Sequence, residues 1–482
     1  MQFIEALQTE DIVTENGMAT NSSSLNPCVD LFFSIGAMRG QDKERLISTF
    51  SKAFNEDTKR AMKILFWARD IRGGAGERLI FKDILEYLAE NHDLVLKPNL
   101  KYITEYGRWD DLLILFGTLL ENDALALIKE ALDNNSMLAG KWMPRKGKNA
   151  EKLRTFLKLS PKQYRKLLVN LTNVVETKMC AKEWDSIEFG KLPSGASARY
   201  QKAFGRNAYK SYSAYIESLI KGEATINAGA VYPYDVTKSL GFGNAKVANE
   251  QWKALPNYME GCTEMILPVV DVSGSMSSPA GNNKNVTCMD VAISLGLYIS
   301  ERNEGKFKDA FITFAQKPKL QILKGSLSDR FLQMSSSDWG MSTNLEAVFN
   351  LILDQATNHN LPQAEMPAKI LILSDMEFNE ATKGSRGWVR NELRRSDGEW
   401  NPTAQMMIEE MYKDAGYKMP QIVYWNIQSR NGGVPVSFDT PGTALVSGFS
   451  PSIMKSILGG VIESPLQMMD KTIMSERYEK IN

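Results

Sequence analysis

Five oxygen-bearing side chains in the C-terminal half of the chain have the types and the order of a divalent-cation site. They are Asp271, Ser273, Ser275, Thr343 and Asp375. The first three alternate directly after the apolar run 265–270, the fourth precedes a helical stretch, and the fifth ends the apolar run 370–374. Short carboxylate and hydroxyl oxygens are the ligands that hard cations prefer, so the set predicts a Mg²⁺ site.

The predicted ligand set favours recognition over catalysis. Two carboxylates and three hydroxyls leave a coordination position that an Asp or Glu of a partner protein could fill, because Mg²⁺ readily keeps exchangeable waters. Glu377 follows Asp375 by two residues and is either an added ligand or an exposed loop acid. A metal-dependent phosphatase or nuclease would need an activated water and usually a base or a second metal. The chain has only two histidines, so we expect no catalytic residues and no enzyme.

The segments around these residues predict a doubly wound α/β domain over residues 263–462. Short apolar runs alternate with helical stretches, as in a mostly parallel sheet covered by helices on both faces. The runs are 265–270, 310–315, 370–374, 422–427 and 444–446, and the helical stretches are 287–302, 344–355 and 403–415. Ligands of such sheets bind beyond the carboxyl ends of the strands, where Asp271 and Asp375 would lie. Residues 463–482 predict a C-terminal helix that packs back.

The N-terminal half predicts a different architecture, so the expected fold class is α + α/β. Residues 1–25 end in a polar stretch that is typical of a tail. Residues 26–262 show helical periodicity, as where Ile80, Ile84 and Leu88 share one face. No strict repeat length is visible, which favours an irregular stack of helix pairs.

Composition places the chain among globular proteins and inside the cell. The chain has 482 residues, of which 43% are hydrophobic and 24% charged, and two or three domains are expected for this length. Its four cysteines are scattered without CxxC spacing, which is typical of reduced thiols in a cytoplasmic compartment. We expect no signal peptide and no membrane-spanning helix, because no basic segment followed by a long apolar core and no long apolar run is found.

A basic block in the helical half predicts an RNA-binding surface. Residues 141–210 contain 17 Lys or Arg against five Asp or Glu, although the whole chain has 57 of each kind. Cations next to rings suit single-stranded RNA, where phosphates pair and bases stack. The alternative is a solvated basic face whose rings lie in the helical core. The candidate RNA-binding residues are Lys141, Arg145, Lys146, Lys148, Lys152, Arg154, Arg199, Tyr200, Lys202, Arg206 and Lys210.

The five predicted ligands resemble the metal-ion-dependent adhesion site of von Willebrand factor A domains, and all five positions match. Other strings resemble hallmarks of a family of plant, viral and other proteins of unknown function with a C-terminal von Willebrand A half. The one departure is Met341, where a glycine is usual. The strings are NPCVDLFF (26–33), ARDIRGGAGER (68–78), YGRWDDLL (106–113), WMPR (142–145), WGMSTN (339–344) and SDMEF (374–378).

That family is similar in architecture to the Ro/TROVE ribonucleoproteins, which join a ring of HEAT-like helical repeats to a von Willebrand A domain and bind small RNAs and RNA 3′ ends. The resemblance implies a non-enzymatic RNA-binding scaffold whose Mg²⁺ site recruits an acidic residue of a protein partner. The alternatives are a protein–protein adaptor without RNA and a metal-dependent phosphoryl-transfer enzyme. No membrane and no nucleotide cofactor are expected as partners.

Overall fold

The structure, a computed structural model, describes residues 12–172, 174–240, 245–281, 283–314, 317–336, 343–380, 403–430, 432–458 and 460–482. The chain forms two compact units. The first contains residues 1–64, 232–240 and 257–476, and the second contains residues 65–231, 241–256 and 477–482. No helix among the residues described is both long and apolar enough to cross a membrane.

The first unit is built on a six-stranded mixed sheet. The strands described in this unit are β1 (Ile12–Val13), β2 (Ala19–Thr20), β3 (Ile266–Val270), β4 (Pro279–Ala280), β5 (Asn283–Thr287), β6 (Ala310–Thr313), β7 (Leu320–Ile322), β8 (Lys369–Ser374), β9 (Gln421–Asn426) and β10 (Thr443–Ser447). The six-stranded sheet consists of β3 and β6 to β10. The sheet has the order β10-β9-β8-β3-β6-β7, with β7 antiparallel to β6 and the other neighbours parallel. Counted from β3, this is the doubly wound order 3-2-1-4-5-6, whose switch point lies between β3 and β8.

Helices cover the sheet of the first unit, which explains why its central strands are apolar on both faces. Every residue of β3, β8 and β10 is buried. The α-helices described in this unit are Pro27–Ile35, Lys43–Glu56, Pro233–Leu240, Cys288–Arg302, Leu327–Ser335, Leu345–Asn358, Ala404–Ala415, Met454–Ile457 and Pro465–Ile473. The helix Cys288–Arg302 begins at a capping box in which Thr287 and Asp290 bind each other's backbone N–H groups.

The prediction of a helical N-terminal part and an α/β C-terminal part is confirmed at this level. The predicted strands and helices of the C-terminal half are present, with ends shifted by a few residues. The antiparallel edge strand β7 was not predicted, because Leu320 and Ile322 are exposed and the strand lacks a buried face.

The compact units differ from the domain boundaries expected at residues 25, 262 and 462. Residues 12–64 lie in the unit that contains the sheet. The helix Pro27–Ile35 packs on β10, where the Ser447 hydroxyl donates to the Phe32 carbonyl at 2.8 Å and accepts from the Gly36 N–H at 3.0 Å. This helix buries residues around most of its circumference, so it needs cover on more than one side.

The segment expected to be a polar tail is folded from residue 12 onward. β1 and β2 pair as a short antiparallel hairpin. The Thr14 hydroxyl donates to the Phe378 carbonyl at 2.6 Å, and the Asn21 amide donates to the Val434 carbonyl at 2.9 Å. The polar side chains that suggest a solvated tail are therefore partners of backbone groups in the same unit.

The second unit is helical. The chain enters it within the helix Thr58–Arg69. Its further described α-helices are Arg78–Asn91, Asp93–Leu96, Ile103–Tyr106, Glu121–Asp133, Met137–Trp142, Lys148–Phe156, Pro161–Leu171, Val175–Cys180, Ser194–Asn207, Tyr209–Ile220 and Ala245–Lys253. A buried ion pair joins Arg69 and Asp111 at 2.7 Å, with Arg78 and Lys82 at 3.7 and 3.6 Å from the same carboxylate. Two of the family-like strings, 68–78 and 106–113, therefore meet in this cluster.

Candidate metal centre

The two predicted carboxylate ligands lie at the carboxyl ends of neighbouring parallel strands. Asp271 follows β3 and Asp375 follows β8, and the Asp271 N–H donates to the Leu373 carbonyl at 2.9 Å. Their exposed fractions are 0% and 2%. The switch point of the sheet therefore places two buried carboxylates side by side, at the edge where ligands of such folds bind.

The Asp271 carboxylate is held in place by two hydrogen bonds. Its Oδ1 accepts from the Ser273 N–H at 2.9 Å, and its Oδ2 accepts from the Ser374 hydroxyl at 2.6 Å. The Oγ atoms of Ser273 and Ser275 lie 2.9 Å apart. The alternating Asp and Ser residues of the turn thus place the three candidate ligand side chains close together.

One oxygen of Asp375 has no hydrogen bond to any residue that the structure describes. Its Oδ1 accepts from the Glu377 N–H at 3.4 Å, whereas the buried Oδ2 has no donor among the described residues. The guanidinium Nε of Arg430 lies 4.0 Å from that oxygen. Burying a carboxylate oxygen without a partner is costly, and a bound cation would remove that cost. The residues present therefore fit a cation.

Thr343 is tied to the same edge. It is buried, its N–H donates to the Asn379 side chain at 3.1 Å, and its carbonyl accepts from the Asn379 N–H at 3.1 Å. Asn344 caps the following helix by accepting from the Ala347 N–H at 2.8 Å. Residues 339–342, which include Met341, lie outside the described residues.

Burial and mutual repulsion disfavour the charged forms of the two carboxylates. Burial first, and then the negative charge of Asp375, raise the pKa of Asp271 to about 7. Burial also raises the pKa of Asp375, while hydrogen bonding by Ser275 and the charge of Arg430 oppose that rise. Among the described residues no group of three or more His, Cys, Asp or Glu could hold a metal. The candidate set instead combines two carboxylates with hydroxyls.

Mg²⁺ affinity is expected to increase with pH up to about 7 and then to level off. A carboxylic acid with a raised pKa keeps its proton in the folded state between pH 3.8 and about 7, and the cation must displace that proton. Below pH 7 the dissociation constant for Mg²⁺ should decrease roughly tenfold for each unit by which the pH increases. Calorimetric titrations at pH 5.5, 6.5 and 7.5 measure the slope, and an affinity independent of pH would contradict it.

The same linkage makes the metal-free protein less stable as pH rises from about 4 to about 7. The folded state binds the Asp271 proton more tightly than the unfolded state does. Raising the pH through this window removes that proton, so the free energy of unfolding decreases. Saturating Mg²⁺ should offset this loss, because the cation binds only the folded state. Melting curves with and without Mg²⁺ at pH 5.5 and 7.5 test this, and an equal Mg²⁺ effect at both pH values would count against it.

Three features of the site were missed from the sequence. The Ser374 hydroxyl binds Asp271, and its position directly before Asp375 is a signal that could have identified it. The Arg430 side chain donates to the Ser278 hydroxyl at 2.6 Å and lies near Asp375, but no sequence spacing links a residue so far along the chain to the site. The third feature is residues 12–22, which we name the N-terminal strap.

Glu377 is not an exposed loop acid. Its exposed fraction is 5%, and its Oε2 accepts from the Glu15 N–H at 2.6 Å. Its carbonyl accepts from the Asn16 side chain at 2.6 Å. Glu377 therefore anchors the N-terminal strap next to Asp375.

The predicted RNA-binding residues all lie in the second unit, and most of the cations among them are exposed. Arg145, Lys146 and Lys148 are exposed, and no carboxylate pairs with them within the described part of the chain. Lys152 pairs with Glu121 at 2.6 Å. Lys202, Arg206 and Lys210 are exposed as well, as is Arg199, whereas Lys141 and Arg154 are half-buried.

The aromatic side chains of the basic block divide between the core and the surface. Phe204 is 1% exposed and packs on Phe189 and Tyr212. Tyr200 is half-buried, and its hydroxyl donates to Glu176 at 3.1 Å. Lys141 lies 3.7 Å from the same carboxylate, so Glu176 contacts both the start of the basic block, at Lys141, and its later part, at Tyr200. The Tyr209 ring, in contrast, is on the surface and is 70% exposed.

Comparison with known families assigns the chain to a group whose function is not established. Residues 14–134 and 130–264 match the family described as Domain of unknown function (DUF2828). The chain belongs to this family. Residues 265–481 of this DUF2828 protein match a second family, described as Domain of unknown function (DUF7788). The DUF2828 protein is also 30% identical, over 523 aligned residues, to an uncharacterized protein of Acanthamoeba polyphaga mimivirus, covering 95% of this chain and 86% of the viral protein. A family of unknown function with a viral relative was predicted, and that part of the prediction is confirmed.

Proposed function

We propose that the protein is a non-enzymatic scaffold that captures an acidic residue of a protein partner through a bound Mg²⁺ ion and binds RNA with its helical unit. The observation that carries the metal half is the pair of buried carboxylates at the switch point, one of which has an oxygen with no hydrogen-bond donor among the described residues. A cation would bring positive charge to both carboxylates, whereas Arg430 lies 4.0 Å from Asp375.

Asp271, Ser273, Ser275, Thr343 and Asp375 would hold the ion. Neutral hydroxyls supply three of the five ligands, so the two carboxylates only balance the charge of the ion, which keeps an affinity for a further carboxylate. This ligand chemistry supports recognition, because a hydrolytic site would also need a positioned water and a general base. Mg²⁺-dependent turnover that is lost in Asp375→Asn would overturn the non-enzymatic part of the proposal.

We propose further that the C-terminal half is a von Willebrand A domain. The strand order 3-2-1-4-5-6 with its antiparallel third strand and the five ligands at the switch point support this assignment. The helices of the second unit support the comparison with the HEAT-like ring of the Ro/TROVE ribonucleoproteins, which extends to RNA only by analogy of architecture. RNA binding therefore needs its own test.

Exposed cations carry the RNA half of the proposal. Replacing Arg145, Lys146 and Lys148 together by Glu should weaken binding of single-stranded RNA and lower the steepness of its salt dependence. Three lost phosphate contacts reduce the slope of log K against log salt by about 2. A triple Glu variant of Lys97, Lys101 and Lys129 is the matched control, since these exposed cations lie outside the basic block. Filter binding of an oligonucleotide between 50 and 200 mM salt, as an approximate range, measures both quantities.

A protein–protein adaptor without RNA is the alternative, and the burial of the rings favours it. Phe204 lies in the core and Tyr200 binds Glu176, which leaves Tyr209 as the exposed ring among these three. RNA affinity that does not change with salt, or that falls equally in both triple variants, would support the adaptor. Crosslinking RNA to the protein in its native cell would exclude it.

A further inference from the structure

The N-terminal strap lies against the segment that directly follows Asp375. The Thr14 hydroxyl donates to the Phe378 carbonyl, the Glu15 N–H donates to Glu377, and the Glu380 N–H donates to the Asn16 carbonyl at 2.9 Å. Gly17 forms an antiparallel bridge with Asn379, which itself pairs with Thr343. Asp375 is therefore two residues from a strap contact at Glu377, and Thr343 is linked to the strap through Asn379.

The strap also reaches the carboxylate itself. Four of its residues line one small cavity together with Asp375, Glu377 and Arg430. These four are Ile12, Val13, Thr14 and Thr20. A partner that approaches Asp375 along this cavity would meet the strap first.

The strap carries an acidic side chain on this face, and Arg430 links it to the site. An Oε of Glu15 lies 3.6 Å from one guanidinium nitrogen of Arg430, and Asp375 Oδ2 lies 4.0 Å from another. The Arg430 guanidinium also donates to the Ser275 carbonyl and the Ser278 hydroxyl, so its position is fixed from the turn that carries the serine ligands. The Arg430 guanidinium thus lies between Asp375, a predicted ligand, and Glu15 of the strap.

The Glu15 side chain is placed so that it can be exchanged. It is 47% exposed, and an ion pair at 3.6 Å in such surroundings is weakly held. Its backbone, in contrast, is anchored by the buried Glu377. The strap is therefore anchored at this position by its backbone, independently of the Glu15 carboxylate.

We propose that Glu15 is the acidic ligand that the chain itself offers to the open position of the metal, so that a partner's carboxylate must displace it. The inference rests on the proposed metal site. In the metal-free protein Arg430 balances Asp375 and Glu15, and a bound cation takes over both. The strap then makes capture of a partner a competition between two carboxylates rather than simple addition to an open site.

Mn²⁺, used alone as the probe, tests this in the full chain. Bound Mn²⁺ enhances the relaxation of water protons in proportion to the number of fast-exchanging waters in its inner sphere. In Glu15→Gln we expect weaker Mn²⁺ binding together with the gain of one such water. Glu44→Gln removes the same charge from an exposed position on the helix Lys43–Glu56 and should change neither quantity. Asn16→Ala loosens one anchor without a change of charge, and a smaller rise in relaxation is expected.

The outcomes separate the two proposals. Saturable Mn²⁺ binding with unchanged relaxation per bound ion in both Glu15→Gln and Asn16→Ala would overturn the role of the strap and leave the metal site standing. A loss of affinity in Glu15→Gln without a gained water would mean that Glu15 acts only through its charge, which also overturns direct ligation. Wild-type protein that binds no Mn²⁺ would remove the metal site, and the inference with it.

Discussion

Replacing Asp375 by Asn is expected to abolish Mg²⁺ binding. The loss should exceed the 10–100-fold that changing an outer-shell partner of a metal ligand typically costs, since a charged ligand is removed, so roughly 100-fold or more is expected. Asp375 is 2% exposed, and its Oδ2 has no hydrogen-bond donor in the described part of the protein. Calorimetric titration with Mg²⁺ at pH 7.5 measures the change.

The same substitution should make the metal-free protein more stable above pH 7. Asp271 and Asp375 are buried neighbours, and the charge of Asp375 helps to raise the pKa of Asp271. Removing one charge relieves that repulsion, and a gain of about 1 kcal/mol in a unit of this size corresponds to a melting temperature roughly 1–2 °C higher. Weaker Mg²⁺ binding together with a lower melting temperature would instead indicate that Asp375 has a structural role.

Asp185→Asn is the matched control for this variant. Asp185 is exposed and belongs to the helical unit. It undergoes the same change of side chain and is not one of the candidate ligands. Mg²⁺ affinity and melting temperature should both equal those of the wild type. An effect of Asp185→Asn similar to that of Asp375→Asn would mean that net charge, and not the site, governs both measurements.

Replacing Asp111 by Ala is expected to destabilise the helical unit by about 3–5 kcal/mol, the cost of leaving one member of a buried ion pair without its partner. The Asp111 carboxylate accepts from Arg69 Nε at 2.8 Å and Nη2 at 2.7 Å, and also from the Arg108 N–H at 3.0 Å. The side chains of Asp111 and Arg69 are 0% and 5% exposed. Removing the Asp111 carboxylate would therefore leave the buried Arg69 guanidinium without this partner.

Hydrogen exchange of the helices Arg78–Asn91 and Glu121–Asp133 measures this loss within the helical unit, which a single melting curve of a two-unit protein would not isolate. Asp133→Ala is the control, because Asp133 pairs with Lys129 at the surface and is 60% exposed. An exposed pair contributes about 0–1 kcal/mol. Equal effects of the two substitutions would show that the buried pair is not a main support of this unit.

The positions of Asp271 and Asp375 at the ends of neighbouring strands could be predicted from the sequence, because the physics that places them is local. A buried parallel strand is apolar along its whole length, so the first polar residue after it marks its carboxyl end. Asp271 is such a residue, Asp375 comes directly after Ser374, the first polar residue at the end of its run, and neighbouring parallel strands bring their ends to one edge. The distance of about a hundred positions between them was no obstacle, since strand order alone decides the contact.

Long-range contacts without an apolar pattern were not predictable from one sequence. Arg430 and Glu15 meet across the first unit at 3.6 Å, and neither lies in a periodic or motif-bearing segment. The strap has the composition of a tail because its polar side chains bind backbone groups that a sequence does not display. β7 was missed for a related reason, since its exposed Leu320 and Ile322 show no buried face.

The basic block illustrates a further limit. Its charge was countable from the sequence, but whether a ring lies in the core or on the surface depends on which face of its helix packs. Phe204 is buried and Tyr209 is exposed, although both stand among Lys and Arg residues. Charge distribution therefore predicted exposed cations better than it predicted exposed rings.

A crystal grown with Mn²⁺ and measured for its anomalous scattering tests the central claim most directly. The account predicts one strong anomalous peak at the carboxyl ends of β3 and β8, within bonding distance of Asp271 and Asp375 or of waters that they hold, and with the hydroxyls of Ser273, Ser275 and Thr343 around it. No peak there at a saturating Mn²⁺ concentration, in crystals that diffract well enough to show the Asp375 carboxylate, would contradict the proposed metal centre.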